Sequence, residues 1–99
     1  MPKLTLDELV FFRMLNGNWW TFWHLREAFK EKNYYYGEPS ISAAIRNLRK
    51  DYNRKKFNLP LDGEIVESRR QNGKKGYEYR LTKETLVYIH KFNKGVKNG

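Results

Sequence analysis

Read for hydrophobic spacing, the chain divides into four helical segments and one β-hairpin. Thr5-Leu6-Asp7-Glu8 has capping-box form: Thr5 accepts from the amide three residues on, and Glu8 reaches back. A first helix is predicted from about Leu6 to Leu15, with Leu6, Leu9, Val10 and Met14 facing the core. Asn16-Gly17-Asn18 stops it. Trp19-Trp20 reads as a very short strand and Thr21 as the cap of a second helix, with Phe22, Leu25, Ala28 and Phe29 along one face. The chain turns at Tyr34-Tyr35-Tyr36-Gly37, and Glu38-Pro39-Ser40 opens a third helix, where a proline costs no hydrogen bond. On that helix Ile41, Ala44, Ile45, Leu48 and Tyr52 fall on one stripe roughly 100° wide and are assigned to the core. The opposite face carries Ala43, Arg46, Asn47 and Lys50, bordered by Ser42.

Ile65–Arg70 and Tyr77–Leu81 are β-prone runs around an Asn72-Gly73 turn signal, which predicts a hairpin. One register sets Glu67 against Arg80 and Arg69 against Glu78. The tight two-residue turn would instead oppose Glu67 and Glu78. Opposite charges across a strand pair favour the first, with a looser turn. Thr82 caps a last helix with a stripe of Leu86, Ile89 and Phe92, and Gly95 is expected to end it, leaving 96–99 as a tail. No repeat or Pro/Gly linker divides the 99 residues, so 1–99 reads as a single domain, mainly α in an α+β fold.

Charge changes the picture. Twenty Lys+Arg against eleven Asp+Glu give +9, unevenly spread. Two stretches, 46–56 and 69–75, hold ten of the twenty basic side chains. Each alone could be a solvated surface, but two on neighbouring elements favour a shared face for a phosphate-bearing partner. Aromatics at 16% argue against disorder. The absence of Cys excludes disulfide and thiol chemistry, and with only His24 and His90 a His-rich metal site is excluded as well. No cofactor, metal or small-molecule ligand is expected. The longest uncharged apolar run, Leu9–Phe12, is far too short for a bilayer, and the first residues lack a secretory h-region, so a cytoplasmic protein without membrane contact is expected.

Three helices followed by a basic hairpin make a winged helix-turn-helix arrangement. Ser40-Ile41-Ser42-Ala43-Ala44-Ile45-Arg46-Asn47-Leu48-Arg49-Lys50 resembles the recognition helix of small winged helix-turn-helix domains of phages and prophages, in which Ser-x-x-Ile-x-x-Leu-Arg-Lys precedes a hairpin ending in Tyr-x-Leu. Ser42, Ile45, Leu48, Arg49 and Lys50 match the first part and Tyr79-Arg80-Leu81 the second, and the likeness runs from about Thr5 to Thr82. It implies a small transcriptional regulator, nucleoid-associated in a bacterial cytoplasm or in the host's if phage-encoded. Its third helix would enter the major groove of double-stranded DNA, and its hairpin would contact adjacent backbone. The departure is Asp51–Asp62, twelve residues where the family has a few, which either lengthen the third helix or form an extra loop.

Chemistry assigns the contacts. Arg46 can fork onto guanine, Asn47 onto adenine, and Ala43 can touch a thymine methyl. Ser42, also placed with the base contacts, suits a phosphate oxygen as well, as do the free amides at the start of the helix. Ser40, Lys50, Arg54, Arg69, Arg70, Lys74 and Lys75 are assigned to the DNA backbone. Tyr34–Tyr36 offer hydroxyls to phosphate, and Trp19, Trp20 and Trp23 offer rings to single-stranded bases. Competing readings place at least one of the tyrosines in the core and the tryptophans in the core or an interface, pair Arg69 and Arg80 across the hairpin, and place Arg49 in packing or an ion pair. The second half of the first helix is apolar nearly all round through Phe11, Phe12, Met14 and Leu15. Either it packs on the last helix, or one of the two forms a two-fold homodimer contact. The alternative to DNA is a protein or RNA interaction module in replication or transcription machinery. A nuclease reading of Asp62, Glu67 and Arg69 fails on short spacing and on arginine's inability to give up a proton.

Overall fold

The computed structural model describes residues 4–97, with side chains through 91. Its helices are α1 (Leu6–Met14), α2 (Phe22–Lys30), α3 (Glu38–Asn47), α4 (Asp51–Lys56) and α5 (Lys83–Lys97). Strands β1 (Val66–Arg70) and β2 (Tyr77–Leu81) form a two-stranded antiparallel sheet. Local chemistry sets the helix starts. The Thr5 hydroxyl accepts from the Glu8 amide at 3.2 Å, and Glu8 Oε1 accepts from the Thr5 amide at 2.9 Å. Thr21 accepts from the His24 amide at 3.0 Å and Thr82 from the Thr85 amide at 3.2 Å. Gly17, at φ +77°, turns the chain out of α1 in a conformation that side-chain-bearing residues avoid. Among the described residues no helix is long and apolar enough to cross a membrane.

The three leading helices close on one core of Val10, Met14, Leu25, Phe29, Ile41, Ile45 and Leu48, and the base of the hairpin completes it with Ile65, Val66 and Leu81. The hairpin has the charge-complementary register, Glu67 opposite Arg80 and Arg69 opposite Glu78. Trp20 adds a single rung beside β2, exchanging two backbone hydrogen bonds of 2.7 Å with Tyr79. The expected short strand is therefore one residue of pairing.

The 51–62 segment neither lengthens α3 nor remains a plain loop. Backbone bonds from the Arg49 amide to the Arg46 carbonyl and from the Lys50 amide to the Asn47 carbonyl tighten the end of α3. Lys50 is extended (ψ 147°), and the chain restarts as α4. The break rotates the register, so Tyr52, expected in the core, is 57% exposed and Asn53 is buried in its place. The Asn53 side-chain amide donates to Asp7 Oδ2 and to the Asn47 carbonyl, both at 2.9 Å, tying α4 to α1 and to the end of α3. Phe57 then stacks on Phe11 with ring centroids 4.2 Å apart, and Leu59 is buried. Phe11 therefore belongs to the core rather than to an apolar surplus, whereas Phe12 and Leu15 remain exposed. The last helix runs past Gly95 to Lys97, because one glycine costs a helix only about 1 kcal/mol. Leu86 and Ile89 pack against the core, and the Phe92 side chain lies outside the described residues.

Two outcomes test this account. Asn53→Ala strands the Asp7 carboxylate and the Asn47 carbonyl, and is expected to cost about 2–3 kcal/mol in urea unfolding. Tyr52→Ala is expected to stay within about 0.5 kcal/mol; equal costs would remove the clamp. The Thr5 amide foremost, then the Thr5 hydroxyl and the Lys56 ammonium, hold the Glu8 carboxyl below its ordinary 4.5. With the folded value below the unfolded one, the contribution of Glu8 is complete above pH 4.5 and is lost as pH falls through the lowered value. Glu8→Gln should flatten that part of the acid limb when urea midpoints are compared between about pH 6 and pH 3.

Candidate nucleic-acid interface

The core stripe of α3 fixes what its far side presents. With Ile41, Ala44, Ile45 and Leu48 buried, Arg46 projects into solvent while Ser42, Ala43 and Asn47 are half-buried. Lys50, just past the helix, is exposed, as is Ser40 in its first turn. Among the described residues Arg46 and Lys50 have no acidic partner within ion-pair distance, and the same holds for Arg70, Lys74 and Lys75 on the hairpin. The start of α3 carries one acid, Glu38, whose carboxylate pairs with Arg26 of α2 at 3.2 Å.

Two of the assigned cations are directed differently. Arg54 turns inward: its Nε donates to the Arg49 carbonyl at 2.7 Å and its Nη1 to the Pro60 carbonyl at 3.3 Å, tying the far end of the 51–62 segment to the residues just after α3. Arg69 is committed to Glu78 at 2.6 Å. Arg49 donates to the Val66 carbonyl at 3.3 Å and approaches Glu64 at 3.8 Å, a bracing role between α3 and the hairpin base. Glu67 of the nuclease pattern is held by Arg80 at 2.9 Å.

Strand alternation sorts the hairpin into two faces. Glu67, Arg69, Glu78 and Arg80 share one, where the Arg69 and Arg80 guanidinium carbons lie 4.0 and 4.4 Å from the Trp19 ring centroid. Ser68, Arg70, Tyr77 and Tyr79 share the other, which faces the helices: Tyr79 stacks on Phe22 of α2 with centroids 5.0 Å apart. The hairpin tip, the first turn of α2 and the start of α3 border one groove of about 430 Å³, with Lys74, Lys75 and Tyr77 on one wall and Trp23, His24 and Glu38 on the other. The groove thus brings the hairpin lysines beside the start of α3, whereas Arg46, Lys50 and Arg70 lie outside its lining.

The Trp19 contact with two guanidiniums was not read from the sequence. Its signal in the sequence is the alternation of Arg and Glu along the two hairpin strands together with a tryptophan beside the residue that pairs with β2. Trp20, Tyr34 and Tyr36 pack against the core, whereas Tyr35 and Trp23 are exposed. Comparisons with protein-family models, with curated proteins and with solved structures found no match, so this face is read from its own chemistry.

An exposed ion pair contributes at most about 1 kcal/mol, so Glu78→Gln should leave the fold intact and free Arg69. The variant is expected to elute from a heparin column at higher salt than Glu84→Gln, which changes net charge equally on exposed α5. Co-elution would mean that Arg69 is not withheld by its partner.

Proposed function

We propose that the chain is a winged helix-turn-helix protein that binds double-stranded DNA selectively, with α3 in the major groove and the hairpin as wing against the flanking backbone. Supporting the architecture are the three-helix core, the Trp20 rung on Tyr79 and the hairpin that follows. The observation that carries the function is the set of cations without an acidic partner among the described residues, Arg46 on α3 and Lys50 just past it with Arg70, Lys74 and Lys75 on the hairpin, of which Lys74 and Lys75 border the groove that reaches the start of α3. Arg46 reads guanine, Asn47 adenine, and Ala43 lets the helix approach closely enough to meet a thymine methyl. Ser40, Ser42, Lys50, Arg70, Lys74 and Lys75 take phosphate oxygens. The +9 charge steers the approach. A small regulator acting in the cytoplasm, without enzymatic activity, is the role that fits.

A second copy of the chain is the protein partner this reading calls for. Phe12 and Leu15 border a cleft with Phe57 and Ile89, edged by the Glu8–Lys56 ion pair, and Val87 and Tyr88 add exposed apolar surface on α5. A two-fold contact there would pair two recognition helices on one site.

Selection of bound duplexes from a random pool, followed by anisotropy titrations at several salt concentrations, tests the proposal. Neutralising roughly 5–8 phosphates per subunit gives a log–log salt slope of about −4 to −7. Arg46→Ala is expected to lose about 1–3 kcal/mol of discrimination at one base pair, whereas Lys74→Ala should weaken every sequence alike and flatten the slope by about one. Uniform weakening by both variants would remove α3 as the reader.

A further inference from the structure

The groove between the hairpin and α2 contains two aromatic side chains that the fold does not use. Trp20, Phe22 and Tyr79 pack against the core, but Trp23, one residue beyond Phe22, and Tyr77, two before Tyr79, do not. Trp23 is 52% and Tyr77 51% exposed, and both border the groove with Lys74 and Lys75. Leaving two large rings half in water is unfavourable for a folded chain, and here neither ring gains compensating core contacts. The stacked Phe22 and Tyr79 rings line the same groove, and Tyr79 is held by its backbone bonds to Trp20. His24 is anchored, with Nδ1 2.8 Å from the Thr21 hydroxyl, and its ring meets Trp23 edge-on. Glu38, the one acid among the described residues lining the groove, is already paired with Arg26.

Exposed aromatic faces beside unpartnered ammonium groups are what a nucleotide outside a duplex requires: a π-surface for the base and cations for the phosphates on either side. A paired base cannot present its face to such a groove. We infer that the Trp23–Tyr77 groove seats an unpaired base of a DNA strand leaving the duplex held by α3, so that the chain favours a duplex with a single-stranded extension over a blunt one. The inference rests on the duplex-binding reading for the neighbouring face, and the two can fail separately.

The test compares a blunt duplex, the same duplex carrying a short oligothymidine overhang, and oligothymidine alone, followed by anisotropy and tryptophan fluorescence. Wild type is expected to bind the overhang duplex roughly tenfold more tightly than the blunt one, with quenching of Trp23. Trp23→Ala and Tyr77→Ala should each remove most of that preference while leaving the blunt duplex within about twofold, and Trp23→Phe should restore much of it. Lys74→Ala should weaken both duplexes. A wild type that binds both duplexes equally, or a preference that survives both alanine variants, would overturn the groove while leaving the duplex reading standing. Quenching by oligothymidine that Trp23→Ala abolishes, without binding to any blunt duplex, would uphold the groove as a base-stacking site and remove the duplex reading.

Discussion

A two-stranded ribbon is marginal on its own in water, so the hairpin can hold a position only through what its base touches. Here Tyr79 is the point of attachment. Its backbone is shared with Trp20, its ring is stacked on Phe22, and two residues on Leu81 is sealed into the core. Trp20 and Phe22 flank Thr21, the α2 cap, so the same few residues fix where α2 starts and where the ribbon leaves the body. The placement of Lys74, Lys75 and Tyr77 relative to α2 and α3 follows from that junction. Arg49, reaching from the end of α3 to the Val66 carbonyl, braces the other strand.

The second constraint is the 51–62 segment, which resolves two apparent excesses at once. Phe11 lies on the side of α1 that the three-helix core leaves uncovered, and Phe57 covers it by stacking. Arg54, in a stretch dense with cations, spends its donors on the Arg49 carbonyl just before the segment and the Pro60 carbonyl near its end. A basic run can therefore be partly structural: a guanidinium has enough donors to close a loop whose own carbonyls would otherwise lack partners. Lys50 remains outside because its backbone, not its side chain, makes the junction, accepting from the amides of Asn53 and Arg54.

Features set by neighbours in sequence were legible. The Thr5, Thr21 and Thr82 caps need only residues three positions away, and the hairpin register followed from matching Glu67 and Arg69 to the opposite charges. The buried stripe of α3 was right as far as Leu48 and wrong at Tyr52, because no glycine or proline marks the break at Lys50. What makes the break favourable is Asn53 reaching Asp7, 46 residues earlier, and periodicity within one helix carries no information about that partner. Arg54 was misplaced for a related reason, since a short-range acceptor such as the Pro60 carbonyl becomes visible only once the chain is known to turn there. At the candidate site, the exposure of Arg46 was readable from the wheel, whereas Ala43 and Asn47 beside it are half-buried. Which tryptophan packs and which stays bare was not readable: Trp20 is drawn in by its rung on Tyr79, Trp19 is covered by two guanidiniums of the hairpin, and Trp23 lies on an exposed side of α2.

That difference bears on why the ribbon is built with opposed charges at all. Cross-strand neighbours share a face, so Glu67–Arg80 and Arg69–Glu78 place four charges in near balance on the side bearing Trp19. The other side pairs Arg70 with Tyr77 and Ser68 with Tyr79, with no acid among them. The register that neutralises one face therefore leaves the uncompensated cation and the bare ring on the face that turns toward the helices. A slip of one residue would exchange the two faces, turning the paired charges toward the helices and the free arginine away from them. Since Val66 and Leu81 would leave the core in the same step, hydrophobic burial at the ribbon's base enforces the charge asymmetry at its tip.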